Sequence, residues 1–542
     1  MTDNKGKNFI KGAVILTAAG LIARVMGFVY RVILTRIIGA EGMGLYQMAY
    51  PIYTILLVVS RSGIPVALAK LISDRIAKEK RKEAFNIFKV ARFLSIGIGL
   101  FFSLVMAFSA RPLISLLGLD PRAYYAVLAI SPAIFFVSIM ATYRGFFQGL
   151  QTMVPTAFSQ IIEQLIRMIT MIALVFFLVK YGLKFAAAGA SFGAVTGAIA
   201  GLLTLIFIYY KRKNKIWSYI NTGEDSKSNV FEIIKEIAVL GVPITIGALV
   251  QPLMNLVDLI FVPQRLQVAG FLMKEATTLY GRLSAVAMPL VNFPTIITVS
   301  LAASLVPSIS EAFALEENDL IKLRTQTALR LTILIALPSS VGLFVLAREI
   351  TQVVFSEPAA AVPLRFVAWG VTFIALQQTS SAILQGIGKT AIPARNLFIG
   401  AISNGIINYT LTALPRFGIK GAAIGTAVGF AVAAFLNLYY VKKYTHFEVK
   451  FDVLIWKPLF SVLIMGISTI QGFKFFQALF TELIPEYSYT VSTFAVVLMA
   501  ALIYGLILLL LNEIKYSDII LIPRVGKKLA DTLQKLGLVG EK

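Results

Sequence analysis

Cysteine is absent from all 542 residues. That excludes disulfides, thiolate metal sites and cysteine nucleophiles, and implies nothing about compartment. Histidine occurs once, as His446 in a polar connection, so the usual imidazole proton relay has no material and a histidine-based triad cannot form. No P-loop and no HExxH sequence is found, so ATP hydrolysis and zinc-dependent proteolysis lack their motifs. No enzyme is expected. Charge is scarce too: 14% of residues are charged, against about a quarter in soluble chains.

The remainder is apolar, at 58% hydrophobic residues with a mean hydropathy of +0.82. The apolar residues arrive in long runs, and about 20 such residues span a bilayer core. The runs predict transmembrane helices over 10–37, 44–69, 93–118, 123–148, 154–179, 185–210, 233–262, 277–310, 325–347, 361–387, 391–415, 420–441, 454–473 and 490–511. The first run carries Arg24 and Arg31, unlike a cleavable signal peptide, so it reads as a retained helix. Net charge is +23, with 50 Lys+Arg against 27 Asp+Glu. Such an excess fits basic inner loops facing anionic lipid, and no nucleic-acid recognition module accompanies it. The base-rich connections, Lys70–Lys89, Lys211–Lys215 and Lys442–Lys450, alternate with short base-poor turns, which predicts cytoplasmic termini. The segment 522–538 places Val525, Leu529, Leu533 and Leu536 on one helical face and reads as a cytoplasmic amphipathic helix.

The chain repeats itself. Gln148-Gly149 before Pro155 recurs as Gln385-Gly386 before Pro393, and Gly182…Gly189 recurs as Gly418…Gly425, about 236 residues on. Six helices separate the copies, so both have the same orientation, with the substrate path expected between the halves. The expected organisation is an N-terminal lobe over 1–225, a C-terminal lobe over 226–445, two extra helices over 446–515 and a tail over 516–542.

Ionisable residues inside spanning helices are functional candidates, because burying them costs roughly 2.5–3.5 kcal/mol. Arg24 lies about 20 Å into the first helix at 1.5 Å per residue, and Arg31 falls seven residues on, near the same face. Arg61 precedes Ser62-Gly63-Ile64-Pro65 in the second helix, and Arg282 sits near the outer end of the eighth. Arginines sharing one cavity call for an anion, and the planar guanidinium suits phosphate. Glu163 and Arg167, four apart on one helix, read as mutually neutralising. Asp258 with Asn404, Asn408 and Thr426 offers oxygen ligands for a hard cation such as Na⁺, although Asn and Thr also join helices.

The stretch Ile22-Ala-Arg24-Val-Met-Gly27-Phe28 through Arg36-Ile-Ile-Gly39-Ala40 resembles the first helix of the MurJ-type lipid II flippases of the MOP exporter superfamily. Ser62-Gly63-Ile64-Pro65-Val-Ala67 and the Gln-Gly…Pro turns extend the resemblance to the polysaccharide-biosynthesis branch that contains stage V sporulation protein B. The resemblance implies an all-α integral membrane protein of about 14 helices, with two parallel six-helix lobes in a V shape and two extra C-terminal helices. It also implies a flippase that moves an undecaprenyl-pyrophosphate-linked glycan, lipid II, across the bacterial cytoplasmic membrane by alternating access. Arg24 and Arg282 match the family's cavity arginines, and Asp258, Asn404, Asn408 and Thr426 resemble its sodium site. The family's Arg-Asp pair is replaced by Tyr30-Arg31, and its second-helix arginine is displaced to Arg61. No cofactor is expected beyond coupling to Na⁺, H⁺ or the membrane potential. The expected partners are a lipid-linked oligosaccharide and membrane lipids, with no nucleic acid and the chain acting as a monomer. Export of another lipid-linked polysaccharide unit is the alternative, followed by a MATE-type antiporter.

Overall fold

A computed structural model describes residues 2–214, 218, 229–447, 456–511, 513, 531, 532 and 534, with side chains from residue 14 onward. The basic residues 215–217 and 219–228, Lys450 and most of the amphipathic segment 522–538 lie outside the described residues. Every regular element among the described residues is helical. Eleven helical runs are long and apolar enough to cross a membrane, or twelve if one pair bent by 47° counts as a single span. The chain is thus an all-helical, multi-pass membrane protein.

Eleven or twelve spans by length and composition stand against the fourteen expected, and segment 361–387 is the pair bent by 47°. Segments 10–37 and 44–69 fall on the two arms of the run Val14–Ala77, which comprises α1 (Thr2–Arg61) and α2 (Gly63–Ala77). A straight helix of that length would reach about 96 Å, far beyond one bilayer core. The run turns at Gly39, whose φ of 65° with ψ of −179° is a conformation reserved for glycine. The expected 277–310 segment is broken instead into α9 (Met273–Gly281), a π-helical turn at Arg282–Ala287, α10 (Met288–Asn292) and α11 (Thr295–Ala314). Segment 391–415 becomes α16 (Ala391–Leu411), where Arg395, Asn396, Asn404 and Asn408 keep it too polar to stand among the eleven.

The other helices are α3 (Arg81–Leu116), α4 (Tyr124–Ile130), α5 (Pro132–Gly149), α6 (Val154–Leu178), α7 (Leu183–Lys211) and α8 (Val230–Val268). They continue as α12 (Asn318–Val345), α13 (Ala347–Phe355), α14 (Ala361–Val367), α15 (Gly370–Gly386), α17 (Ile419–Thr445), α18 (Lys457–Leu483) and α19 (Ser488–Leu510). Two compact units result. The first comprises 1–285 with 408–419, and the second 286–407 with 420–542.

The internal repeat extends well beyond the sequence motifs. The turn after α2 places Glu79 at φ 61°, and the turn after α11 places Glu316, 237 residues later, at φ 58°. Gln151 and Gly388, again 237 apart, both follow a Gln-Gly helix end with positive φ. Short 3₁₀ turns recur at Pro121–Ala123 and Pro358–Ala360. Buried hydroxyl pairs recur as well: Ser95 Oγ meets Thr142 Oγ1 at 2.6 Å, and Thr332 Oγ1 meets Thr379 Oγ1 at 2.7 Å. A hydroxyl pair satisfies both partners where no water is available. Two copies of one helical framework are therefore present.

In the first unit the turn before α4 is fastened by charge. Arg122 reaches Asp120 at 2.7 Å and Glu41 at 2.6 Å, and Thr277 Oγ1 donates to Asp120 at 3.0 Å. Burial opposes ionisation of Asp120, yet the hydrogen bonds from Arg122 hold its carboxyl below the usual carboxylate range. Near the far end of α8, Arg75 forks onto Glu236 at 2.8 and 2.9 Å and holds Glu83 at 2.6 Å. Between these fastenings, backbone meets backbone: Gly63 packs on Gly241, and Gly281 on Ala40.

Candidate functional site

After the bend at Gly39, α1 runs back beside its own first half. The second half carries Tyr46, Tyr50 and Tyr53 at helical spacing on one face, with successive ring centroids 5.9 and 5.8 Å apart. Tyr46 and Tyr53 are buried. Tyr30, from the first half, is 4% exposed and lies against both Arg31 and Tyr46. Arg31 has Tyr30, Tyr46 and Tyr50 as its electrostatic neighbours. The bend therefore folds an aromatic, hydroxyl-bearing wall onto an arginine.

Helix α6 adds the opposite wall. Arg167 has Tyr30, Tyr50, Tyr53 and Glu163 around its guanidinium. Glu163 binds Arg144 of α5 at 2.8 Å, and Arg144 also donates to Ser159 Oγ at 3.0 and 3.1 Å. Arg167 and Arg61 lie within electrostatic reach of the same carboxylate. The i,i+4 pairing expected from the sequence is thus not the direct contact, and Arg144 takes the glutamate. Gly197 and Gly201 of α7 make this possible, since they let α7 press onto the backbone and β-carbons of Glu163 and Arg167. Arg31, Arg61, Arg144 and Arg167 together outnumber Glu163 and retain some accessible surface. Within a membrane unit, that is a cationic cluster flanked by phenols.

The predicted residues fall as follows. Arg31 and Arg61 belong to this cluster. Arg24 is exposed on α1, with no carboxylate within 4 Å among the described residues. Arg282 opens the π-helical turn, a distortion often found at functional positions. Asp258 and Asn408 are brought together: Asn408 Nδ2 donates to Asp258 Oδ1 at 2.8 Å. That bond directs Asn408 Oδ1 elsewhere, and this buried oxygen receives no hydrogen bond among the described residues. Asn404 and Thr426 belong to the second unit, both buried, with Thr426 Oγ1 bonded to Ala422 O at 3.1 Å. The described residues contain no group of three or more acidic, histidine or cysteine side chains placed to hold a metal. Arg144 and the tyrosine face were not expected from the sequence, although the spacing of Tyr46, Tyr50 and Tyr53 was legible.

The second unit's interior is built differently. Asn437 accepts from Asn396 at 2.9 Å and donates to Ser381 at 3.0 Å, and Gln377 donates to Ser381 at 3.1 Å. A cavity of about 620 Å³ is lined by Leu329, Ile333, Trp369, Phe373, Phe435 and Phe447 among others, with Lys442 on its wall. Beside the last two helices, Glu513 is 2% exposed and binds Lys457 at 2.9 Å, while Arg330 donates to Glu513 O at 2.7 Å.

The family model described as "Polysaccharide biosynthesis protein" matches residues 9–313, more than half of the chain. The chain belongs to that family. A second model, MatE, matches residues 283–410 of this polysaccharide biosynthesis protein. The family member is 31% identical to "Stage V sporulation protein B" of Bacillus subtilis (strain 168), over 96% of this chain and 99% of the relative. It is 26% identical to "Lipid II flippase MurJ" of the same organism, over 85% and 87%. A solved structure, "Lipid II flippase MurJ, inward closed conformation", aligns with a TM-score of 0.66 at 18% identity, covering 94% of this chain and all of that one. These likenesses place the family member in the MOP superfamily, among transporters and not enzymes.

Proposed function

We infer that this protein carries a lipid-linked glycan bearing a diphosphate across the bacterial cytoplasmic membrane by alternating access, with lipid II as the first candidate. The observation that carries the reading is the excess of arginine over carboxylate inside the first unit. Uncompensated guanidinium groups in a membrane are costly, and a diphosphate both neutralises them and accepts their forked hydrogen bonds. Arg24, Arg31, Arg61 and Arg282 are assigned to the headgroup. The apolar cavity of the second unit offers the kind of surface that a prenyl chain requires. Cationic drugs, the substrates of the MATE-type alternative, would meet repulsion among these arginines. Another undecaprenyl-linked polysaccharide unit remains the second reading, favoured by the greater identity to the sporulation relative than to the flippase.

Asp258 and Asn408 are the proposed ligands of a hard monovalent cation, the carboxylate supplying charge; to add its oxygen, Asn408 would release its hydrogen bond to Asp258 and turn Oδ1 inward. The bound ion would supply charge neutralisation at Asp258.

The deciding experiment is complementation of a cell depleted of its essential lipid II flippase. Sustained peptidoglycan synthesis supports lipid II, whereas no rescue despite normal membrane expression rejects it in favour of a different glycan. Arg24→Ala should abolish rescue and Arg24→Lys should weaken it, because ammonium lacks the fork. The cysteine-free chain also permits a clean topology test. A cysteine at Lys80 should resist an impermeant thiol reagent in intact cells, and labelling from outside would overturn the cytoplasmic orientation.

A further inference from the structure

We propose that Arg167 is an additional diphosphate contact and that Glu163 is its built-in competitor, an internal anion whose charge opposes that of the bound substrate. This deepens the diphosphate reading above and rests on it. Three links in the first unit carry it. Tyr30 has Arg31 and Arg167 as electrostatic neighbours, and Tyr53 has Arg167 and Arg61, so three arginines from α1 and α6 lie about one row of phenols. Glu163 then sits within electrostatic reach of Arg167 and Arg61 while its direct bond goes to Arg144 at 2.8 Å. Arg144 is engaged through Nε and Nη2 by Ser159 and Glu163, whereas Arg167 makes no hydrogen bond or ion pair within bonding distance among the described residues.

The chemistry follows from these placements. A single carboxylate cannot satisfy four guanidinium groups, but it lowers the local positive potential and so weakens any incoming anion. A diphosphate entering between the tyrosines offers oxygens to Arg167, Arg31 and Arg61, and the phenolic hydroxyls can donate to the remaining lone pairs. Glu163 stays anchored to Arg144, near enough to repel the bound phosphates. Its charge therefore promotes release, as a transporter requires of a site that must empty on every cycle.

The test measures binding of undecaprenyl diphosphate, which carries the lipid and diphosphate without the glycan, to purified full-length protein. Arg167→Gln is expected to weaken binding roughly tenfold, about the worth of one charge-assisted hydrogen bond. Glu163→Gln is expected to tighten it severalfold while slowing dissociation. Should Glu163→Gln fold poorly, the neutral double variant Arg144→Ser/Glu163→Ala removes the competitor and its anchor together and should also bind more tightly. Inorganic pyrophosphate should displace the lipid from wild type and do so less readily from Arg167→Gln. Failure of pyrophosphate to compete overturns the diphosphate assignment. Wild-type affinity in the Arg167 and Glu163 variants, alongside weakened binding in Arg24→Ala, overturns this proposal and leaves the function standing. Absence of diphosphate binding by wild type overturns the function and this proposal together.

Discussion

The two repeat copies share a framework and differ in what they bury. Where the first places Arg144, the second has Ser381 at the matching position, counted from the Gln-Gly turns. Where the first places Glu163, the second has Ala401, counted from Pro155 and Pro393. The first copy's α5–α6 contact is consequently an ion pair, and the second copy's α15 and α16 meet through a neutral Asn-Gln-Ser network. The turns and the hydroxyl pairs are nonetheless matched residue for residue. Backbone architecture and interior chemistry are thus separable properties in this fold, and the charged α5–α6 contact is a specialisation of one copy.

Breaking the ion pair should have the largest effect. Glu163→Ala strands Arg144 in a half-buried site and should cost about 3–5 kcal/mol, the penalty for orphaning one partner of a buried pair. Adding Arg144→Ser, which installs both residues of the second copy, should recover much of that loss. Denaturant unfolding in detergent measures both, and a double variant no more stable than the single one would show that the pair is not the source. Asn437→Ala, the corresponding insult to the second unit, should cost less, about 1–3 kcal/mol, because only neutral groups lose partners.

These contrasts also mark what could be read in advance. The helical class, the multi-pass character and the repeat were legible because a bilayer demands long apolar runs, and because Gln-Gly, Pro and Gly punctuate both copies alike. The separation of 10–37 from 44–69 was legible as well, and Gly39 lies inside the turn expected over 38–43. The break at 282–294 was hidden, because Pro289 and Pro294 occur within an apolar run much as Pro51 does inside α1. Arg144 lies near a helix end, where an arginine ordinarily reaches for the surface; only the packing shows it turned toward Ser159 and Glu163. Arg31 and Arg61 were singled out by their places inside apolar runs, but their phenolic surroundings required the fold.

Smaller perturbations sharpen the equivalence of the two frameworks. Gln151 holds a left-handed backbone that its counterpart Gly388 adopts without strain. Gln151→Gly should be neutral or slightly stabilising, and Gly388→Gln should lower stability by about 1 kcal/mol. Opposite signs in thermal melts support matched turns, and equal losses would contradict them. Smallest of all, Thr142→Val and Thr379→Val should each cost about 0.6–1.7 kcal/mol, the range for hydrogen bonds between membrane helices. A clear inequality between the two would show that the hydroxyl pairs are not equivalent.

The glycine contacts at Gly63–Gly241 and Gly281–Ala40 have a mechanical meaning. Side chains that interdigitate act like gear teeth, and separating them means unpacking each tooth in turn. Two backbones in contact are smooth bearing surfaces, held by dispersion over a small area and by few directional bonds. Such a joint carries load when pressed and parts or pivots cheaply when pulled. With Arg75–Glu236 toward one end of α8 and Asp120–Thr277 beyond the other, the seam resembles a hinge pin with a latch at each end. Opening either latch would then let the helices pivot where glycine keeps the side chains from interlocking.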